Sequence, residues 1–228
     1  MRLPTNPVTT LWRSLRDEVR LNHRGGRVIL AVDGIDGSGK TVFADGLAEA
    51  FAEEGDAVFR ASIDDFHRPR AERYARGRNS PEGFYADSYD YSTFRRVLID
   101  PFRDGARTGA TTGFQLTSFD LGRDTATLSQ WVTAPADAVL IVDGVFLNRP
   151  ELRGIWHWSL WLEVPFTVAY ARMALRDGCS PDPDAPSNAR YRQGQELYLR
   201  EAKPREAASA IVENSDLEHP IRIFGDYC

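Results

Sequence analysis

The stretch AVDGIDGSGKT, residues 31–41, decides how the rest of the chain is read. Within it Gly34-Ile35-Asp36-Gly37-Ser38-Gly39-Lys40-Thr41 fits G-x-x-x-x-G-K-[ST] at every specified position. Glycines open backbone angles closed to other residues, so successive N–H groups can curl around phosphate oxygens. A helix starting near Gly39 adds the positive end of its dipole. Lys40 reaches the β- and γ-phosphates in such a loop, and the Thr41 hydroxyl coordinates magnesium. The expected cofactors are ATP and Mg²⁺, and the cofactor-binding set is Gly34, Asp36, Gly37, Ser38, Gly39, Lys40 and Thr41. A glycine-rich turn that binds nothing is the bland alternative. Against it stand four matched positions with a strand before and a helix after.

Outward from this loop the pattern alternates. Residues 8–24 carry Leu11, Leu15 and Val19 at helical spacing, and Gly25-Gly26 stops that helix. RVILAVDG is a continuous apolar run of the kind buried on both faces of a parallel sheet. VFADGLAEAFAEEG has helical spacing, DAVFRASID is a second strand, DAVLIVDG a third and WSLWLEV a fourth. FTVAYARMALRDG and ARYRQGQELYLREA read as helices around a loop rich in proline and aspartate. ASAIVENSD and IRIFGD supply one or two final strands. The middle, about 66–135, reads as loops, one or two helices including STFRRVLIDPF, and a small β excursion. The expectation is an α/β fold, a P-loop NTPase-type parallel sheet with helices on both faces and a lid segment. One domain spans residues 1–228, with a core over about 27–215 and a lid over about 172–192.

Composition narrows the partners. The chain has 228 residues and a net charge of −5, which disfavours bulk nucleic-acid binding. No run approaches the roughly 18 apolar residues of a membrane span, and the N-terminus lacks a secretory h-region. Cys179 and Cys228 have no metal spacing and no disulfide framework, which suits a cytoplasmic protein. Of 28 basic residues only Lys40 and Lys203 are lysine. Trp156, Trp158 and Trp161 lie at a strand and suit the core or a subunit contact, which leaves a homo-oligomer open. The expected partner is a small molecule bearing a hydroxyl.

Two strand ends supply carboxylates. Asp143 follows the apolar run AVLIV and is placed to hold a metal's water shell beside Thr41. Asp64 and Asp65 end the second strand at the same sheet edge, where one can take the proton of an attacking hydroxyl and the other cap a turn. The base assigned here is Asp64. A GTPase would need N-K-x-D and an ABC-type ATPase an LSGGQ-like signature; neither is present. Arg172 and Arg176, four apart, share a helix face before the loop and can stabilise charge on a transferring phosphoryl group. His67, Arg68, Arg70 and Arg73 form a basic cluster that suits either an anionic substrate or a solvated face.

The segments AVDGIDGSGKT, SIDDFHRPR, EGFYADSYDY, VLIVDGVFL and ARMALRD occur in the order seen in the uridine kinase/phosphoribulokinase family. The resemblance runs from about residue 27 to 215 and is closest to uridine kinase-like proteins. It implies an ATP-dependent phosphotransferase with an alcohol acceptor, Asp64 as base, and Asp65, Phe66 and His67 beside the substrate. It also implies Tyr89 and Asp90 at substrate hydroxyls, Phe114 at the base, and Arg172 and Arg176 as lid arginines. Phe119 stands where the family places a base-reading histidine; a phenyl ring can stack but cannot hydrogen-bond a base edge. Acceptors other than a nucleoside therefore stay open: pantothenate, a sugar or a sugar phosphate. A nucleotide-binding regulator without an acceptor is the rival from another class.

Overall fold

The computed structural model describes residues 2–108 and 112–224. The chain runs through α1 (Pro7–Asn22), β1 (Val28–Gly34), α2 (Lys40–Ala52) and β2 (Val58–Ser62). Short helices follow: α3 (Arg70–Arg73), α4 (Pro81–Asp87), α5 (Tyr91–Phe94) and α6 (Asp100–Thr108). A hairpin of β3 (Phe119–Asp120) and β4 (Thr125–Ala126) comes next, then β5 (Val139–Gly144) and β6 (Trp158–Glu163). The chain continues with α7 (Phe166–Asp177), α8 (Ala189–Ala202), α9 (Pro204–Ala207), β7 (Ala210–Glu213) and β8 (Ile221–Ile223). Cys228 and the Gly225-Asp226 end of the expected last strand lie outside the described residues.

The main sheet has the order β2-β5-β1-β6-β7-β8, and only β8, against β7, is antiparallel. Alternation within β1 explains the two layers. Ile29 and Ala31 face a core built with Leu98, Phe102 and Phe146, whereas Val28, Leu30 and Val32 face Leu15, Val19, Phe43 and Phe51 from α1 and α2. Both sides are dry, so β1 and β5 are buried throughout, as their unbroken apolar runs require. Asn6 caps α1 through its side chain, and Trp12 lies so close over Gly46 of α2 that a Cβ there would meet its ring at 2.2 Å. Trp158 and Trp161, 3% and 4% exposed, belong to the core, which removes the hint they gave of a subunit contact.

The region 66–135 holds more helix than its sequence suggested. STFRRVLIDPF lies in a continuous helical stretch, α5 to α6, that widens to a π-helix over Arg95–Ile99. Pro101 is the physical reason: it has no N–H to give the carbonyl of Val97. Gln115 N–H donates to that carbonyl instead, at 2.8 Å.

His157 adds a rung to β1 on its N-terminal side. Its N–H donates to the Ile29 carbonyl at 2.9 Å and its ring Nδ1 accepts from the Ile29 N–H at 3.0 Å. Accepting at Nδ1 requires a neutral ring. Burial pushes the imidazole below its usual range, with further lowering from His23 and Arg103. A folded value below the unfolded one means this contribution is complete above about pH 6.5. It is lost as pH falls, because the unfolded chain takes up the proton first. Denaturant titrations between pH 7.5 and about 5.5 should show stability falling. His157→Asn, whose amide oxygen can accept from Ile29, should flatten that fall; an unchanged slope would exclude His157 as its source.

Candidate active site

β1 ends at Gly34, and the loop to α2 turns on Gly37 and Gly39, at φ 75° and 92°. These are left-handed angles that glycine adopts without strain. A Cβ on Gly37 would sit 2.4 Å from the Ala169 carbonyl, so the loop packs directly on α7. Asn214 Nδ2 donates to the Ser38 carbonyl at 2.8 Å, and Lys40 Nζ bends back to the Ile35 carbonyl at 2.7 Å. No side chain caps α2, so its first-turn amides face the loop's concavity. Ser38 Oγ is buried without a partner among the described residues. These groups could hold a polyphosphate.

Thr41 and Asp143, distant in sequence, meet here. Thr41 Oγ1 donates to Asp143 Oδ2 at 2.8 Å. The other oxygen, Oδ1, accepts from Arg60 at 2.8 Å, and Arg60 also binds Asp45 and the Ile141 carbonyl. Arg60 was missed from sequence; its one signal was a cation inside the otherwise apolar strand VFRAS. The sheet register sets Asp143 of β5 opposite Ser62 of β2, which brings Asp64 and Asp65 to the same edge. Burial pushes the Asp65 carboxyl up, with Asp64 and Asp143 adding to the rise. Asp65 thus feels the charge of both the base candidate and the metal-side acid.

Asp64 Oδ1 accepts from the Tyr89 hydroxyl at 2.8 Å, and the Asp64 carbonyl accepts from His67 Nδ1 at 2.7 Å. His67 stacks on Tyr89 with ring centroids 4.5 Å apart. Burial lowers the His67 pKa and favours the neutral ring. Asp64 lines two adjoining cavities, one of 260 Å³ over the glycine-rich loop with Lys40, Thr41 and Asp143, and one of 220 Å³ with His67, Tyr74, Tyr89 and Arg190.

Three expected substrate residues lie elsewhere. Phe66 is fully buried edge-on to Phe94, and Phe114 is fully buried between Phe59 and Phe102, so both are core. Asp90 caps α5 by accepting from the Thr93 N–H at 3.0 Å. It faces a separate cavity of 640 Å³ on the far side of His67, not the one beside Asp64. Alternation along the extended segment explains it: Tyr89 turns in, Asp90 turns away.

The lid arginines are engaged with protein. Arg172 donates to the carbonyls of Asn214 and Ser215, each at 2.8 Å, and to Gly37 at 3.4 Å, pinning the loop after β7 against the glycine-rich loop. Arg176 grips Asp177 with two bonds at the mouth of the loop's cavity. Gln195 of α8, a residue that sequence reasoning passed over, accepts from the Asp36 N–H at 2.7 Å.

No protein-family model matches the chain, and no curated protein sequence does. Solved structures do. A possible uridine kinase from Bacillus stearothermophilus superposes with a TM-score of 0.64 at 24% identity, over 87% of this chain and 98% of that one. A candidate fructose transport system kinase from a Silicibacter species gives 0.58 at 28% identity, over 88% and 94%. The D-glycerate 3-kinase of Cryptococcus neoformans var. grubii gives 0.53 at 12% identity, over 86% and 85%. The fold is that of the P-loop kinases.

Within that P-loop kinase fold, Arg60 is a local feature whose energetics can be measured. Asp143 is 2% exposed and keeps two side-chain donors, one of them charged. Removing the charged one leaves a buried carboxylate half satisfied, which costs about 2–4 kcal/mol. Arg60→Met should lower urea stability by that amount, and Asp143→Asn added to it should recover part of the loss. Full stability of the single variant would show that Asp143 does not need the ion pair.

Proposed function

We propose that this chain is a magnesium- and ATP-dependent phosphotransferase that phosphorylates a hydroxyl of a small uncharged molecule, a nucleoside or sugar. The observation that carries the reading is that Asp64 borders both the loop's cavity and the neighbouring one, as Asp36 also does, and that Asp64 alone of the two has its carboxylate oriented by a donor among the described residues, Tyr89. A base for hydroxyl activation must touch both the donor's end and the acceptor.

The residues suit the nucleotide. Bound MgATP would supply the phosphoryl group and the metal charge that stabilises its transfer. Gly37, Ser38, Gly39 and Lys40 offer amides and an ammonium to phosphate oxygens, and Thr41 with Asp143 offers oxygens to the metal's shell. Among the described residues no group of three or more His, Cys, Asp or Glu is placed to hold a metal, so these two would share the ion with water and phosphate. Asp64 accepts the proton of the acceptor hydroxyl, and Tyr89 holds its carboxylate in place. Arg176, paired with its neighbour Asp177, is the exposed lid cation that lines the loop's cavity, and Arg172 serves as a clamp.

Charge favours an uncharged acceptor over a sugar phosphate. Arg73 donates to the Arg68 carbonyl and Asp124, and Arg68 to the Tyr89 carbonyl and Glu72. Arg190 donates to four carbonyls and stacks over Tyr74. His67 is neutral. What the cavity presents to a ligand is carboxylate, phenol and imidazole, groups that bind hydroxyls. The possible uridine kinase among the structural neighbours is named for an acceptor that is an uncharged hydroxyl compound.

Screening uridine, cytidine, ribose and fructose for stimulated ADP release tests the reading directly. With the acceptor so found, Asp64→Asn should leave ATP affinity nearly intact and lower turnover by about 100-fold or more. Near-native turnover of that variant would take the base role from Asp64.

A further inference from the structure

Asp36 occupies the glycine-rich loop, yet its side chain serves none of the loop's contacts. Its N–H is taken by Gln195, and its carboxylate makes no hydrogen bond among the described residues. It lines three cavities at once: the one over the loop, the one beside Asp64, and a third of 560 Å³ beneath the lid. Tyr170 of α7 lines the third cavity too. Its ring is 2% exposed, and its hydroxyl is buried with no partner among the described residues. Each of these polar groups is out of place taken singly. A carboxylate beside a polyphosphate site is repelled by what the site binds, and a buried hydroxyl left unbonded is destabilising.

Together they fit one ligand group. A hydroxyl can donate to the Asp36 carboxylate and accept from the Tyr170 phenol at the same time. We infer that Asp36 and Tyr170 form a binding pair for a second hydroxyl of the acceptor, remote from the one that Asp64 deprotonates, and thereby select polyols. The inference rests on the proposed phosphotransferase reading, and it goes further by requiring a second hydroxyl at a stated place. Neighbouring charge is consistent with it. Lys40 and Arg176 attract the Asp36 carboxylate while Asp64 and Asp177 repel it, and of the charges acting on the Tyr170 phenol Asp36 has the largest effect. Burial pushes the Tyr170 phenol up, which keeps it uncharged and able to donate; burial pushes Asp36 up as well, and Lys40 and Arg176 oppose that rise. The cavities beside Asp64 and beneath the lid share Tyr191 as well as Asp36, so one ligand can span them.

The test is calorimetric titration of uridine and D-fructose, with their monodeoxy analogues, into the protein with MgADP present. Wild type, Asp36→Asn and Tyr170→Phe are compared. Loss of one particular hydroxyl should weaken binding to wild type about tenfold or more, because a site built to hydrogen-bond a hydroxyl rejects the analogue lacking it. The same loss should change affinity for either variant by less than about twofold. Tyr170→Phe should unfold at the same temperature as wild type or higher, since its hydroxyl holds nothing in the protein; a structural tyrosine would show the opposite. Equal penalties in wild type and variants would overturn the inference. So would failure of every uncharged probe to bind, or a preference for ribose 5-phosphate over ribose. Binding that obeys the expected pattern, without phosphoryl transfer from ATP, would instead overturn the kinase reading and leave the hydroxyl pair standing.

Discussion

A single buried carboxylate fixes where the first core strand becomes the glycine-rich loop. Asp33 is fully buried, and burial pushes its carboxyl up. It is kept tolerable by donors from three segments: the Gly34 N–H at 2.8 Å, the Asn148 N–H and side-chain amide at 3.0 and 2.8 Å, and the Tyr198 hydroxyl. An unpaired polar group at that depth would cost several kcal/mol, so the segments must converge. Tyr198 lies one turn beyond Gln195 on α8, and the two share a face. Tyr198 holds the strand side of the loop through Asp33, and Gln195 holds the loop itself through the Asp36 amide. The helix that follows the lid is therefore also the brace of the loop.

Arginine does most of the comparable work elsewhere. Arg27 reaches the carbonyls of Phe102, Ala134 and Pro135; Arg149 the Tyr85 carbonyl and Glu151; Arg16 the Ala50 carbonyl at 3.0 Å. A planar fork with five donors can satisfy several carbonyls left bare at helix ends and irregular turns, which an ammonium on a flexible stem does poorly. At these three positions the guanidinium does what an ammonium could not. The same contrast separates Lys40 from the rest. Its one side-chain bond among the described residues, to the Ile35 carbonyl, is of a kind a rotating ammonium exchanges easily for an anion's oxygen.

Strands buried on both faces were legible because their sequences are unbroken apolar runs, and the glycine-rich loop because its angles demand glycine at fixed spacing. Thr41 and Asp143 were legible as ends of such elements, and the structure brings them within 2.8 Å. Phe66 and Phe114 were misread for a definite reason. A motif names positions along the chain but not the side of the chain a ring faces, and both rings turn inward onto Phe94, Phe59 and Phe102. Asp90, by one residue of alternation, lines a different cavity from Tyr89. Arg60, Gln195 and Tyr170 were illegible because each acts on a partner remote in sequence, or on none in the protein. Gln195 and Asp36 are 159 residues apart.

Asp64 and Asp36, the two carboxylates that border both the loop's cavity and the one beside it, differ in what surrounds them. Asp64 sits at a strand end, accepts from Tyr89, and stands over the same cavity as Lys40 and Thr41. Asp36 sits on the loop itself, its carboxylate without a donor among the described residues, and is held through its backbone N–H by Gln195. A carboxylate already oriented by a phenol is suited to a proton transfer whose geometry must be fixed beforehand. One left without a partner in a partly dry place is suited to a contact completed by the ligand. Because α8 grips Asp36 by its amide and Asp33 through Tyr198, a ligand that engages the Asp36 carboxylate pulls on the element that sets the loop's shape. On the proposed reading, acceptor binding at Asp36 would therefore be joined to the phosphate-binding loop through covalent neighbours, with no longer chain of contacts required.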